Sequence, residues 1–214
     1  MSTSNINEPV REYLSGSEER ASLIDEYKKQ SNEKIEIPVI VGGERIFTGD
    51  IGHCIAPHNH KKVLASYHKA DRTTVDKAIN NSLAAWKDWS NTPLEERTII
   101  FRKAATLLAG KWRNKINVAT MLNQSKNVYQ AEIDAACELI DFFNFNSSFA
   151  ENIHSKQDLI SPTGMKNYLE YRPLEGFVFA VAPFNFTPIA ANLPSAPVLM
   201  GNVSLWKPAS TAIL

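Results

Sequence analysis

Towards the end of the sequence a β-rich apolar run, GFVFAVAP (176–183), leads into a helical stretch opening on Thr187-Pro188, and then a second β-rich run, NVSLWKP (202–208). A strand, a helical crossover and another strand make the start of a parallel sheet. Parallel strands are normally covered on both faces, and two of them cannot achieve that alone. The run is therefore expected to be the beginning of a larger sheet and the chain the front part of a longer protein. The closing ASTAIL, with Pro208 and Ser210, reads as the start of another helix.

The residues before this run divide by pattern. Residues 1–34 are polar, with Leu23, Ile24 and Tyr27 on one side of a short amphipathic helix, and read as an arm. From 35 to 69, short runs such as IEIPVIVGG and KVLASYH alternate with Gly, Asp and Pro, as strands and turns do. Four helices follow. The first buries a stripe of Val75, Ile79, Leu83, Trp86 and Trp89. The second opens on a capping box of Thr92, Pro93 at the first helical position and Glu95, and ends at Gly110. The third covers 112–122. The fourth, VYQAEIDAACELIDFFNF, has two apolar stripes, and Glu132 falls inside the one formed by Val128, Ala135, Leu139 and Phe142. MKNYLEYRP reads as a further strand.

Lys plus Arg and Asp plus Glu are 23 each, so no net field favours a nucleic acid or an anionic membrane. No stretch approaches the ~18 apolar residues of a membrane span. The two cysteines, Cys54 and Cys137, form no CxxC pair and suit a reducing compartment. MSTSNINEPVREYL has no apolar signal core and carries Glu8 and Glu12, which makes a poor transit peptide, so a cytoplasmic location is expected, with the mitochondrial matrix as the alternative. HCIAPHNH holds His53, Cys54, His58 and His60, but with no second cysteine pair and a setting in a strand-connecting loop it is not expected to hold metal.

Two positions call for a chemical explanation. Asn185 stands between Phe184 and Phe186 at the close of an apolar run, and a buried amide without partners costs on the order of 1–3 kcal/mol. It is expected either to bond backbone at the strand-to-helix turn or to be kept for a ligand. Glu132, inside an apolar stripe, is desolvated unless something pairs with it.

GFVFAVAPFNF, the Pro-containing helix after it and APVLMGNVSLWKP together resemble the aldehyde dehydrogenase superfamily, in which one strand ends in Pro-aromatic-Asn-aromatic and a second in Lys-Pro. More narrowly, that whole region with QAEIDAACELIDFF and the early NEPV and GSEER resembles the branch that oxidises L-glutamate gamma-semialdehyde, formed from 1-pyrroline-5-carboxylate, to L-glutamate in proline degradation. The resemblance implies an α/β fold in which an N-terminal helical layer packs on the start of a Rossmann-like parallel sheet. Residues 1–34 would be the arm and 35–214 an incomplete NAD-binding domain, with an oligomerisation strand near 164–173.

NAD is the cofactor implied, a small aldehyde the substrate and a homo-oligomer the full-length assembly. By resemblance the Asn185 amide stabilises the oxyanion formed when a cysteine thiolate attacks the aldehyde. Ala182, Pro183 and Phe184 line the cofactor groove, Lys207 bonds the adenosine ribose and Pro208 shapes the turn after it. Phe186 borders the substrate channel, with core packing as the alternative, and Glu132 meets the substrate amino group, with a role at a helix terminus as the alternative. The family's catalytic cysteine and glutamate base lie beyond the Lys-Pro strand, so these residues alone are expected to be inactive. Another aldehyde as substrate, or an inert binding or oligomerisation module, are the other readings.

Overall fold

The computed structural model describes residues 6–214, and the first five residues of the expected arm lie outside it. In chain order it contains α1 (Glu18–Asn32), β1 (Ile35–Ile37), β2 (Val39–Val41), β3 (Glu44–Ile46), β4 (Ile51–Ala56), β5 (Asn59–His68), α2 (Arg72–Asn91), α3 (Leu94–Ala109) and α4 (Arg113–Gln124). There follow α5 (Val128–Ala131), a π-helical turn (Glu132–Cys137), α6 (Glu138–Ser155), β6 (Val178–Val181), α7 (Thr187–Leu199) and β7 (Ser204–Lys207).

β1, β5 and β4 form one sheet, with β1 parallel and β4 antiparallel to β5, while β2 and β3 form a separate hairpin. β6 and β7 are parallel, with Val181 opposite Lys207, and α7 crosses between them. The expected β-α-β unit is present, and α7 packs against both its strands and against α6, which in turn packs on α3.

Several local expectations give way to tertiary context. α2 is a helix, capped by Asp71 accepting from the Thr74 N–H at 2.7 Å, but its stripe is not buried: Val75 is 43% and Leu83 45% exposed. Periodicity places residues on one face and does not supply a partner for it. The two tryptophans instead attach the helix through their indole N–H groups, Trp86 to the Leu174 carbonyl and Trp89 to that of Val198, each at 2.8 Å. The capping box is not formed either. Pro93 takes the N-cap position of α3 without a side-chain bond, and the Thr92 hydroxyl donates back to the Asp88 carbonyl of α2 at 3.1 Å.

Arg97 fastens this junction. It is buried, and its guanidinium donates to the Thr92 carbonyl just past the end of α2 and to the Leu199 carbonyl at the end of α7, the latter at 2.8 Å. Both acceptors are at helix C-termini, where the aligned peptide dipoles favour a cation. Gly201, at φ +88°, leaves the room this needs: a Cβ there would lie 2.7 Å from the Pro173 ring and 3.1 Å from Arg97 Nη1.

Residues 164–173, expected as a strand, form none: they run without ladder partners, with Met165, Tyr168, Leu169 and Tyr171 exposed. ASTAIL is a turn and not a helix, with Ala212 N–H donating to the Ala209 carbonyl at 3.0 Å. Asn123 captures it, donating to the Thr211 carbonyl at 2.6 Å and accepting from Leu214 N–H at 2.9 Å. HCIAPHNH is the β4–β5 hairpin itself, so His53 and Cys54 lie on a strand and only Pro57 and His58 connect. Among the described residues no three His, Cys, Asp or Glu side chains cluster as metal ligands, and no helix is long and apolar enough to cross a membrane.

The fourth helix holds a buried charge. Both its stripes are covered, but at Glu132 the α-helical pattern widens into the π turn. Glu132 is 0% exposed and Arg113 1%. Arg113 donates to the Glu132 carboxylate through Nε, at 3.1 Å, and through Nη2, and reaches Glu8 and, at 2.7 Å, the Pro9 carbonyl. Arg11 N–H, Tyr13 hydroxyl and Asn117 Nδ2 complete the carboxylate shell at 2.9, 2.8 and 2.7 Å. The N-terminal segment from Glu8 to Tyr13 is thereby docked onto α4 and the π turn. Tyr13 is held at φ 53°, a left-handed conformation that costs a non-glycine residue about 1–3 kcal/mol.

Burial pushes the Glu132 carboxyl up, but the bonds from Arg113, Arg11 and Tyr13 outweigh it and hold the group below the usual carboxylate range. Its contribution to stability is therefore present above the unfolded carboxylate pKa of about 4.3 and is lost as pH falls through the lower folded value. Glu132→Gln should cost about 3–5 kcal/mol, because it removes the fully buried charge opposite the Arg113 guanidinium. Denaturant unfolding at pH 7 checks this, and a variant with an unchanged midpoint would show that the pair does not hold the fold. The difference between wild type and variant should narrow in acid.

Candidate active site

Parallel strands in open α/β sheets present their carboxyl ends to ligands. Here the ends of β6 and β7 lie side by side, fixed by Ala182 N–H donating to the Lys207 carbonyl at 3.0 Å. The chain leaves β6 through Ala182, Pro183, Phe184 and Asn185, and enters α7 with Phe186 as N-cap and Pro188 in its first turn. Proline suits that position, where its missing N–H would have had no helical partner.

Asn185 is exposed, not buried as the apolar run suggested, and among the described residues no protein group bonds its amide side chain. Burial already lapses within β6, where Phe179 and Val181 are exposed, and Phe184 and Phe186 after it are exposed as well. Lys207 is exposed at the end of β7, with no acid within ion-pair distance among the described residues, and Pro208 follows half-buried. Ala182 is buried with its N–H used in the sheet, and Pro183 has none. This stretch can therefore offer a ligand only carbonyl oxygens and the Phe184 N–H.

Glu132 does not join this group: its carboxylate has no exposure to water and is enclosed by Arg113, Tyr13, Asn117 and Arg11. A carboxylate taken out of water needs a charge partner, and Arg113 on α4 is that partner. Cys54 and Cys137 are both free and buried. Burial, then the neighbouring Glu132 charge, pushes the Cys137 thiol up to about 12, which leaves it protonated and inert at neutral pH.

Three residues near the site escaped the sequence reading. Lys126 Nζ donates to the Asn185 carbonyl at 2.5 Å and lies 4.7 Å over the Phe186 ring. Thr120 and Gln124, on α4, bond the Thr187 hydroxyl at 2.7 and 2.8 Å, which seats the first residue of α7. These contacts span about sixty positions of sequence, and no local pattern announces them. Glu138, at the start of α6, is a half-buried carboxylate whose charge acts on Lys126.

The aldehyde dehydrogenase family model matches residues 48–214. The chain is 47% identical over 209 residues to the mitochondrial delta-1-pyrroline-5-carboxylate dehydrogenase of Dictyostelium discoideum, covering 98% of this chain and 38% of that protein. To the human mitochondrial enzyme of the same name it is 46% identical over 208 residues, covering 97% and 37%. A crystal structure of the Mycobacterium tuberculosis delta-pyrroline-5-carboxylate dehydrogenase bound with NAD matches with a TM-score of 0.94 at 46% identity, over 97% of this chain and 39% of that one. A Thermus thermophilus 1-pyrroline-5-carboxylate dehydrogenase structure matches at 0.88 and 26% identity, over 97% and 40%. The chain thus spans less than two-fifths of the length of the two curated relatives.

Because the Asn185 side chain is solvent-facing and unbonded, Asn185→Ala should leave stability within about 0.5 kcal/mol of wild type. Thermal unfolding of the two proteins side by side checks this. A larger loss would place the amide in a structural role.

Proposed function

The chain belongs to the aldehyde dehydrogenase family, and on that basis we propose that it serves the NAD-dependent oxidation of L-glutamate gamma-semialdehyde to L-glutamate. The observation that carries this reading is an exposed, unbonded Asn185 amide in the loop that leaves β6, with an exposed Lys207 at the end of the adjacent β7. An amide that bonds nothing in the protein is available to an oxyanion, and a lysine without an acid is available to a ribose. Relatives of this sequence carry the name delta-1-pyrroline-5-carboxylate dehydrogenase, and one is bound with NAD in its crystal structure.

In this reading the Asn185 Nδ2 donates to the aldehyde oxygen as it becomes an anion. One preorganised donor of this kind is typically worth about 2.7–4 kcal/mol in the transition state. Lys207 holds the cofactor's ribose, with Pro208 fixing the turn behind it and the carbonyls of Ala182 and Pro183 and the Phe184 N–H bordering the same groove. NAD, when bound, supplies the hydride acceptor. Phe186 forms an apolar wall for the aliphatic chain of the aldehyde and limits water there. Both cysteines are buried and the Cys137 thiol is held protonated, so the attacking thiolate and its base are assigned to the part of the relatives' length that this chain does not span.

The exposed apolar residues of 164–173 agree with contact to a second copy, and buried free cysteines agree with a reducing compartment, cytoplasmic or mitochondrial matrix.

The test is turnover of glutamate gamma-semialdehyde with NAD by the full-length protein. Asn185→Ala should lower kcat by about 10²–10³. Lys207→Ala should weaken NAD binding by roughly tenfold, the loss of a single charge-assisted hydrogen bond, and leave aldehyde KM unchanged. No turnover, or a Lys207 variant with unaltered NAD affinity, would overturn the respective assignment.

A further inference from the structure

The loop that carries Asn185 is secured at its two ends and needs something in the middle. Before it, Ala182 N–H is tied to Lys207, and after it Ala190 N–H closes the first turn of α7 on the Phe186 carbonyl at 3.0 Å, with Thr187 held by Thr120 and Gln124. Between these points, the polar contact that reaches the loop from elsewhere among the described residues is the bond from Lys126 Nζ to the Asn185 carbonyl. The same ammonium rests over the Phe186 ring, so one group touches the two residues to which oxyanion and substrate contacts are assigned.

We propose that Lys126 is a positioning residue for this site: its ammonium holds the Pro183–Phe186 loop in the one conformation that keeps the Asn185 amide fixed and available. The inference rests on the reading of Asn185 given above. The lysine is itself constrained at both ends of its side chain. Ser125, in a left-handed conformation at φ 56°, ends α4 and turns the backbone towards the loop. At the tip, the ammonium pairs with Asp134, a buried carboxylate on the π turn. Lys126 is mostly covered, with 16% of its side chain exposed. Burial pulls its pKa down while Glu138 opposes the shift. An ammonium can make these contacts together because it has three donors and a positive charge that the ring face attracts.

Preorganisation explains why this matters for rate and not only for folding. An oxyanion donor works because it needs no reorganisation at the moment of reaction, and a misplacement of about 1 Å can cost about 10²-fold. A loop with a free middle would leave the amide to sample several directions.

The experiment compares Lys126→Met, which keeps the aliphatic stem and removes the donors, with Lys126→Arg, in the full-length protein. Lys126→Met should lower kcat about 10²-fold while NAD affinity, read by fluorescence titration, stays within about twofold. Lys126→Arg should recover most of that loss. In an Asn185→Ala background the same Lys126→Met change should cost less than about twofold more, since it acts through the missing amide. A crystal structure of Lys126→Met should show the Pro183–Phe186 loop displaced or in more than one conformation.

Equal kcat losses in the two backgrounds, or an undisplaced loop, would overturn the proposal. Should Lys126→Met not fold, Lys126→Gln, neutral and too short to reach, carries the same comparisons. If the wild-type protein does not oxidise this aldehyde, the functional reading fails by itself. The loop position in the variant crystal then still decides whether Lys126 positions Asn185.

Discussion

An ionised carboxylate with no exposure to water is costly unless its whole shell is supplied by the protein. Glu132 meets that condition with five donors, Arg113 giving two of them, and those donors come from segments far apart in sequence. The requirement fixes the architecture around it. The N-terminal segment has to lie across α4, because Arg11 N–H and Tyr13 hydroxyl close the shell, and the helix carrying Glu132 has to stand at one distance from α4. Burial and the bond to Glu132 push the Tyr13 phenol up to about 12, so the donor stays protonated throughout the neutral range. Such a network adds geometric selectivity even where its net energy is modest, since each member is satisfied in only one arrangement.

Much of the scaffold can be read from the chain because it depends on local pattern. The β-α-β unit, the strand-rich stretch before residue 70 and the four helices follow from apolar spacing and from Pro and Gly placement, and each is present. What could not be read depends on partners. Val75 and Leu83 have helical spacing whether or not anything covers them. Thr92 and Glu95 satisfy the capping pattern, but the hydroxyl is drawn to the preceding helix, which ends at the same point. The π turn leaves no periodic trace, since six widened residues displace a stripe by less than the tolerance with which stripes are read.

The candidate site shows the same division. Asn185 and Lys207 stand out through motif and position at strand ends, which is local information. Lys126 does not, since its role arises from a loop about sixty residues later. Glu132 stands out in the sequence as a carboxylate within an apolar stripe, and its partners in the fold are an arginine, a tyrosine and an asparagine from other segments. The stripe shows that the charge must be paired and says nothing of whether the pairing ion is a substrate or an arginine on another helix. A carboxylate reserved for a ligand would be expected to retain an open side, as Glu138 does, whereas every face of Glu132 is occupied.

The π turn joins these two levels. Glu132 and Asp134 are two positions apart, so they project to opposite sides of the same helical turn. One is paired with Arg113 and, through it, with the N-terminal segment; the other is paired with Lys126 and, through it, with the Asn185 loop. π turns interrupt the regular helical bonding and are frequent at functional sites. In this chain the interruption allows a single short segment to satisfy a structural cation on one side and a site-facing cation on the other.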